Sequence, residues 1–358
     1  MIALQIQEIK QFMSKLLLSP TFDNFLLVEG SITTYNTFYI DGRIHKDFFT
    51  EEELMKQKSI IYGMVLLIIT AMVGAAEVLH QHEIIFPEIT AIAVGALMAP
   101  KMTWNTSRSR ILIFIMICAL CGVGIVLFVP VPVWLKVTLA YGIAEVIYLC
   151  SGTSFAPMIS AIALPVLLGT ESAVYPIAAF LLTILILGCH IILEKTKIIP
   201  ETNFTPIKAD KQDWLDAVKR LFLVAIAAWA ALKLNCRFAI APPLLVAFTE
   251  FSKRTSGARK IPAKVVSAIT LCGLAGALCR YFIVLTLHLP LTLAAIFAGI
   301  CMILILTKLN VFVPPAGALC ILPMLIPETA VIGYPLQILA GAALFMVLSL
   351  TTFKTNTQ

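Results

Sequence analysis

The chain has 358 residues, 60% of them apolar and 13% charged, with a mean hydropathy of +0.96. A water-soluble chain of this size has too little interior to hide so many apolar side chains, which excludes an ordinary soluble enzyme or binding module. The formal charge of +6 is not a nucleic-acid signal, because the basic residues fall in short loops between apolar stretches.

Residues 1–57 are unlike the rest. Met1 to Leu18 carries apolar residues at positions 2, 6, 9, 13 and 16, a helical stripe with lysines on the other face. Two β-rich runs follow, Ile32–Ile40 and Arg43–Phe49, and Asp41-Gly42 between them predicts a hairpin. This reads as a small αβ module on the cytoplasmic membrane surface, either docking a cytosolic partner or laying its helix on lipid. The stretch from Ser14 to Phe49 is similar to the start of a small uncharacterised family of Firmicutes, a resemblance that implies no activity.

From Lys58 onward the pattern predicts six apolar segments and then six more. The first set is 59–79, 84–100, 111–129, 133–150, 152–169 and 173–193. The second is 217–234, 238–252, 265–286, 289–307, 311–327 and 332–352. Landmarks recur between the sets. Pro157 and Pro165 return as Pro315 and Pro323 at one constant spacing, Tyr175-Pro176 returns as Tyr334-Pro335, and Leu120-Cys121-Gly122 as Leu271-Cys272-Gly273. The expected organisation is therefore two membrane repeats, 58–194 and 216–353, joined by a cytoplasmic linker at 195–215 and ending in a tail at 354–358.

If every segment crosses, all but four of the 26 lysines and arginines lie on one side; Lys136, Lys233, Arg237 and Arg280 are the exceptions. The positive-inside rule puts that side, with both termini and the mid-chain loop, in the cytoplasm of a bacterial inner membrane. Within each half the first three crossings then run opposite to the next three, and each triplet has a Pro-broken segment at its centre. The expected fold class is an all-α polytopic membrane protein of about twelve crossings. It is built as two tandem repeats, each a three-plus-three inverted repeat. Nested repeats of this kind are typical of secondary transporters.

The breaks at Pro87, Pro157, Pro242-Pro243 and Pro314-Pro315 are the candidate substrate site. Proline removes a backbone donor and frees a carbonyl, so a broken helix in lipid must be shielded or line a cavity. Its half-helix ends face a bound anion, or the prolines merely kink the helices. Ala316 and Gly317 permit close backbone approach, of a ligand or of a neighbouring helix. Charges inside spans are the other candidates. Glu145 is a coupling proton or cation site, or a structural partner of a Ser, Thr or backbone group. Arg280 attracts an anion, or snorkels to the interface. Glu77 and Lys233 are placed for an ion pair between the repeats. Glu88 and Glu250 read as solvated helix ends.

Cys118 and Cys121 lie inside a span without a second pair, and His80 and His82 do not share a helical face, so no metal is expected. No nucleotide loop or nucleophile elbow is present, so no cofactor and no enzymatic activity are expected. The expected partners are the lipid bilayer, a small-molecule or ion substrate and a second copy of the chain.

The segment "VFVPPAGALCIL" at 311–322 resembles the signature of the HPP family of membrane proteins, in which His-Pro-Pro precedes Ala-Gly-Ala. "FPEITAIAVGALMAP" and "PMISAIALPVLLGT" resemble first-half segments of tandem members of that family. The resemblance spans about 58–352, with Val313 where the signature histidine stands. It implies a secondary transporter or facilitator, with nitrite as the substrate associated with some members. A passive channel and a membrane scaffold or sensor using residues 1–57 are the alternatives.

Overall fold

The computed structural model describes residues 36–40, 43–47 and 51–354. The stripe from Met1 to Leu18 lies outside the described residues, as does residue 355 onward. Strands β1 (Asn36–Ile40) and β2 (Arg43–Asp47) pair antiparallel, with Ile40 opposite Arg43; the expected turn at 41–42 lies outside the described residues.

Every described element after residue 50 is a helix, joined by turns and extended connections. The first half holds α1 (Glu51–Val78), α2 (Glu88–Ala93, continued by a π turn Val94–Met98), α3 (Arg108–Phe128), α4 (Val133–Cys150), α5 (Pro157–Leu168) and α6 (Val174–Lys195). The second holds α7 (Lys211–Lys233), α8 (Pro242–Ser252), α9 (Pro262–Cys279, continued by a π stretch Arg280–Thr286), α10 (Leu291–Leu309) and α11 (Pro314–Ile321, followed by a 3-10 turn Leu322–Met324). It ends with a short α12 (Glu328–Val331) and α13 (Tyr334–Thr352). α1 runs unbroken through residue 57, so the expected boundary there is not a break in structure.

The boundaries follow local chemistry. α5, α8, α9 and α11 each open on proline, whose missing N–H belongs to a position with no intrahelical acceptor. α7 opens on a capping box, with Asp210 and Asp213 each accepting the other's backbone N–H. α5 stops at Gly169, whose φ of +76° suits the left-handed residue that closes a helix.

Among the described residues, seven helices (α1, α3, α4, α6, α9, α10 and α13) are long and apolar enough to cross a membrane. α7 has the length, with 23 residues, but its first half is charged. The other four segments read as crossings contain only short helices. α5 has 12 residues and α8 has 11, about 16–18 Å of helix, roughly half of a hydrocarbon core of about 30 Å.

The short helices are the core. Every residue from Glu88 to Met98, Pro157 to Leu167 and Pro314 to Met324 is buried, and α8 is buried except at Glu250. The long helices surround them and turn apolar side chains outward, among them Leu67, Ile113, Leu127, Leu181, Phe222, Leu336 and Val347. An aqueous protein would hide such a belt; a bilayer solvates it.

Two sets of helix ends meet at opposite faces of the bundle. At one face Ser154 N donates to Asn105 O (3.0 Å), Lys253 Nζ to Ser154 O (3.3 Å) and Trp104 Nε1 to Glu250 Oε1 (2.7 Å). Arg259 reaches the carbonyls of Phe353 and Lys354, and Arg108 pairs with Glu194. At the other face Arg237 Nη2 donates to Leu167 O (3.2 Å), Phe238 N to Gln337 Oε1 (2.9 Å) and Lys136 Nζ to Val126 O (3.1 Å).

Candidate functional site

The short helices pack in two antiparallel pairs that join the halves, α2 with α11 and α5 with α8. Contact between α2 and α11 is close: a Cβ on Gly317 would sit 2.9 Å from Thr90 O. The small Gly317 therefore serves a neighbouring helix, and Ala316 is buried beside it. α3 lies as close on α5 at Gly122, and α9 on α11 at Gly276, where a Cβ would overlap backbone carbonyls of Ile162 and Cys320.

The proline breaks leave few free donors in this conformation. Pro242-Pro243 and Pro314-Pro315 take the first two helical positions of α8 and α11, so neither position has an N–H. The third residues already bond backward, Leu244 N to Ala241 O (2.7 Å) and Ala316 N to Val313 O (3.0 Å). In α5, Pro157 lacks the N–H and Ile159 N bonds Ala156 O (2.9 Å). At Pro87 the chain turns through Ile89 N to Phe86 O (3.0 Å) and Thr90 N to Pro87 O (2.9 Å). An anion approaching these ends meets carbonyl-satisfied turns rather than a ring of open amides. Val313, in the place of the HPP histidine, is a buried N-cap that contributes its carbonyl and apolar bulk.

The charged candidates fall into place differently from expectation. Glu145 on α4 is buried and held bidentately by Arg220 of α7, Nε to Oε1 at 2.9 Å and Nη2 to Oε2 at 2.7 Å. Thr249 of α8 donates to the same carboxylate (3.0 Å), and the Tyr141 hydroxyl stands 2.7 Å from Thr249 Oγ1. The main partner of Glu145 is thus an arginine, beside the threonine hydroxyl. Arg280 does not snorkel. It is buried, and its Nη1 caps the carbonyls of Pro323 and Ile326 (2.6 Å to the latter), where the turn after α11 leaves acceptors without helical donors. Glu77 does not meet Lys233, which is exposed. Its carboxylate instead caps α10, accepting from Leu291 N (2.9 Å), Thr292 N (3.0 Å) and Thr292 Oγ1 (2.6 Å).

The two glutamates expected at solvated ends are neither free nor fully exposed. Glu250 accepts from Trp104. Glu88 is 1% exposed, receives the Ser160 hydroxyl on Oε1, and has no partner for Oε2. Thr90 Oγ1 beside it is also buried without a partner. No spacing rule reveals this: Glu88 follows a proline at the edge of an apolar run, which is also how an ordinary exposed helix start reads.

One cavity opens near the basic face. Its lining includes Thr106, Arg108, His190 and Thr202, with an accessible space of about 10 Å³, about enough for one water. Both ring nitrogens of the buried His190 lack partners.

Helices of this length, composition and outward face belong to a multi-pass α-helical membrane protein. Residues 15–86 match the model of DUF5721, a family of unknown function, so the similarity runs from the N-terminal region through α1 to Phe86 and crosses the boundary expected at residue 57. No curated protein and no solved structure matches the chain.

Proposed function

We propose that the chain is a secondary transporter or facilitator of a small solute, working through the four short helices at the centre of the bundle. One observation carries the reading. Short helices with a proline at or just before their first residue, too short to span lipid, are enclosed by long ones, and they pair across the two halves as α2 with α11 and α5 with α8. Irregular backbone at membrane depth is tolerated where protein shields it, and transporters place their sites there.

Twelve traversals in two duplicated halves complete the proposal. The ends that meet at the two faces fit a chain alternating sides at every element, each short helix with its extended flank making one traversal. Matched contacts support the duplication. Tyr175 OH donates to Ala161 O and Tyr334 OH to Leu319 O, both at 2.8 Å, and Phe86 and Phe238 meet those tyrosines edge-on at 5.6 and 5.7 Å. The basic face, with Arg108, Arg110, Lys253, Arg254 and Arg259, is read as cytoplasmic by the positive-inside rule. An inorganic anion such as nitrite as the solute rests on the HPP resemblance alone.

The test is uptake into proteoliposomes across a panel of small inorganic anions and cations, with and without an imposed pH gradient. At least one solute enters faster than into empty vesicles if the reading holds. Equal rates across the whole panel would refute it.

A further inference from the structure

We propose that Glu88 is a proton-exchanging group, loaded and unloaded where α2 meets α5. The proposal deepens the transport reading and rests on it for its use, but its test needs no transported solute.

The geometry isolates this carboxyl. Glu88 and Ser160 are each 1% exposed, and Ser160 Oγ donates to Oε1. Oε2 meets no donor. None of α2, α5 and α11 contains a lysine or arginine, and Glu88 is the one acidic residue in the three. The titratable group facing it is the phenol of Tyr175 on α6, with the Cys118 thiol of α3 behind. Tyr175 already gives its only hydroxyl proton to Ala161 O. The nearby end of α1 carries Glu77, whose carboxylate is engaged by α10. An ionised carboxyl without a counter-charge is expensive in such surroundings, whereas a protonated one is tolerated.

Packing does not require the carboxyl. Around the matched Tyr334 the same phenylalanine contact and the same hydroxyl-to-carbonyl bond form, yet Ala318 stands in the place of Ser160 and Ile240 lies two residues after Phe238 as Glu88 lies two after Phe86. One half thus builds this junction from apolar side chains alone; the other places there a hydroxyl and an acid with an unused oxygen. Glu145 is the contrasting case, held on both oxygens by Arg220.

The experiment uses the full chain in liposomes and follows the carbonyl stretch of protonated carboxyls by infrared difference spectroscopy from about pH 4 to about pH 9. Wild type is expected to show a titrating band that Glu88→Gln lacks and whose midpoint Ser160→Ala shifts. The amide bands and gel-filtration profile report whether each variant is folded. If Glu88→Gln does not fold, the Ser160→Ala shift decides alone, and an unmoved midpoint overturns the proposal. An identical titrating band in folded Glu88→Gln also overturns it. So does a wild-type midpoint that moves with Na⁺ at fixed pH, since the ligand would then be a metal cation. Gradient-dependent uptake surviving Glu88→Gln would sink the proposal and leave the transport reading intact. A Glu88 band that titrates with no solute moving would do the reverse.

Discussion

The pair Glu145–Arg220 makes the sharpest prediction about stability. Both side chains are buried, 4% and 6% exposed, and both carboxylate oxygens are used, at 2.9 and 2.7 Å. Two unit charges about 4 Å apart attract by about 4 kcal/mol at an effective dielectric of 20. Removing one partner forfeits that attraction and leaves the other charge stranded, which costs about 3–5 kcal/mol at buried sites; replacing both with apolar groups of similar volume is often close to neutral. Glu145→Leu and Arg220→Met are therefore each expected to destabilise strongly, while the two together recover most of the loss. Thermal unfolding in detergent can be read with a thiol-reactive dye, since Cys118, Cys272 and Cys320 are buried and free. Singles are expected to lose roughly 5–10 °C in Tm. Single and double losses that simply add would show that the charges do not meet, and the reasoning would fail.

Other contacts give further expectations. Gly276→Ala should abolish accumulation of folded protein, because its Cβ would overlap the backbone of Cys320, whereas Gly124→Ala, with nothing within 4 Å, should be neutral or gain up to about 1 kcal/mol; expression and gel filtration separate them. Glu77→Ala removes the cap of α10 and should cost about 1–2 kcal/mol, measured by the same dye assay, with the loss absent if Leu291 and Thr292 find other acceptors. At the start of α7, Arg254 donates to Asp210 and holds its carboxyl below the usual range. A depressed carboxyl contributes stability that is fully present above about pH 3.9 and vanishes as pH falls through the lower, folded value. The Tm gap between wild type and Asp210→Asn should therefore stay constant near neutrality and close only in acid. A gap that is already closed at neutral pH would count against the ion pair.

The sequence showed where helices end more readily than what their charges do. Pro157, Pro242 and Pro314 mark helix starts because a ring without an N–H fits most readily there, and that constraint is local. The exposed stripe on α3 or α13 is likewise written in composition. Partners are not. Glu145 reads as a lone charge in a span because Arg220 is 75 residues away on a helix whose charged first half looks like a loop. α7 fails a hydropathy count for the same reason: Arg220 can be buried only because Glu145 is there to meet it. Arg280 looks like an interfacial residue until the turn at Pro323 turns its acceptors toward it.

The surroundings of Glu88 and Glu145 differ from those their positions suggested, and the reason is a general one. Depth in an apolar run tells how costly a charge would be, not whether something relieves the cost. Glu145 lies deep but is relieved on both oxygens, which makes it a strut between α4, α7 and α8. Glu88 lies at the edge of its run, yet the fold carries that edge into the centre of the bundle and supplies one hydroxyl for two oxygens. If the two halves descend from one unit, the packing around Tyr175 and Tyr334 is the shared part and the acid is the difference.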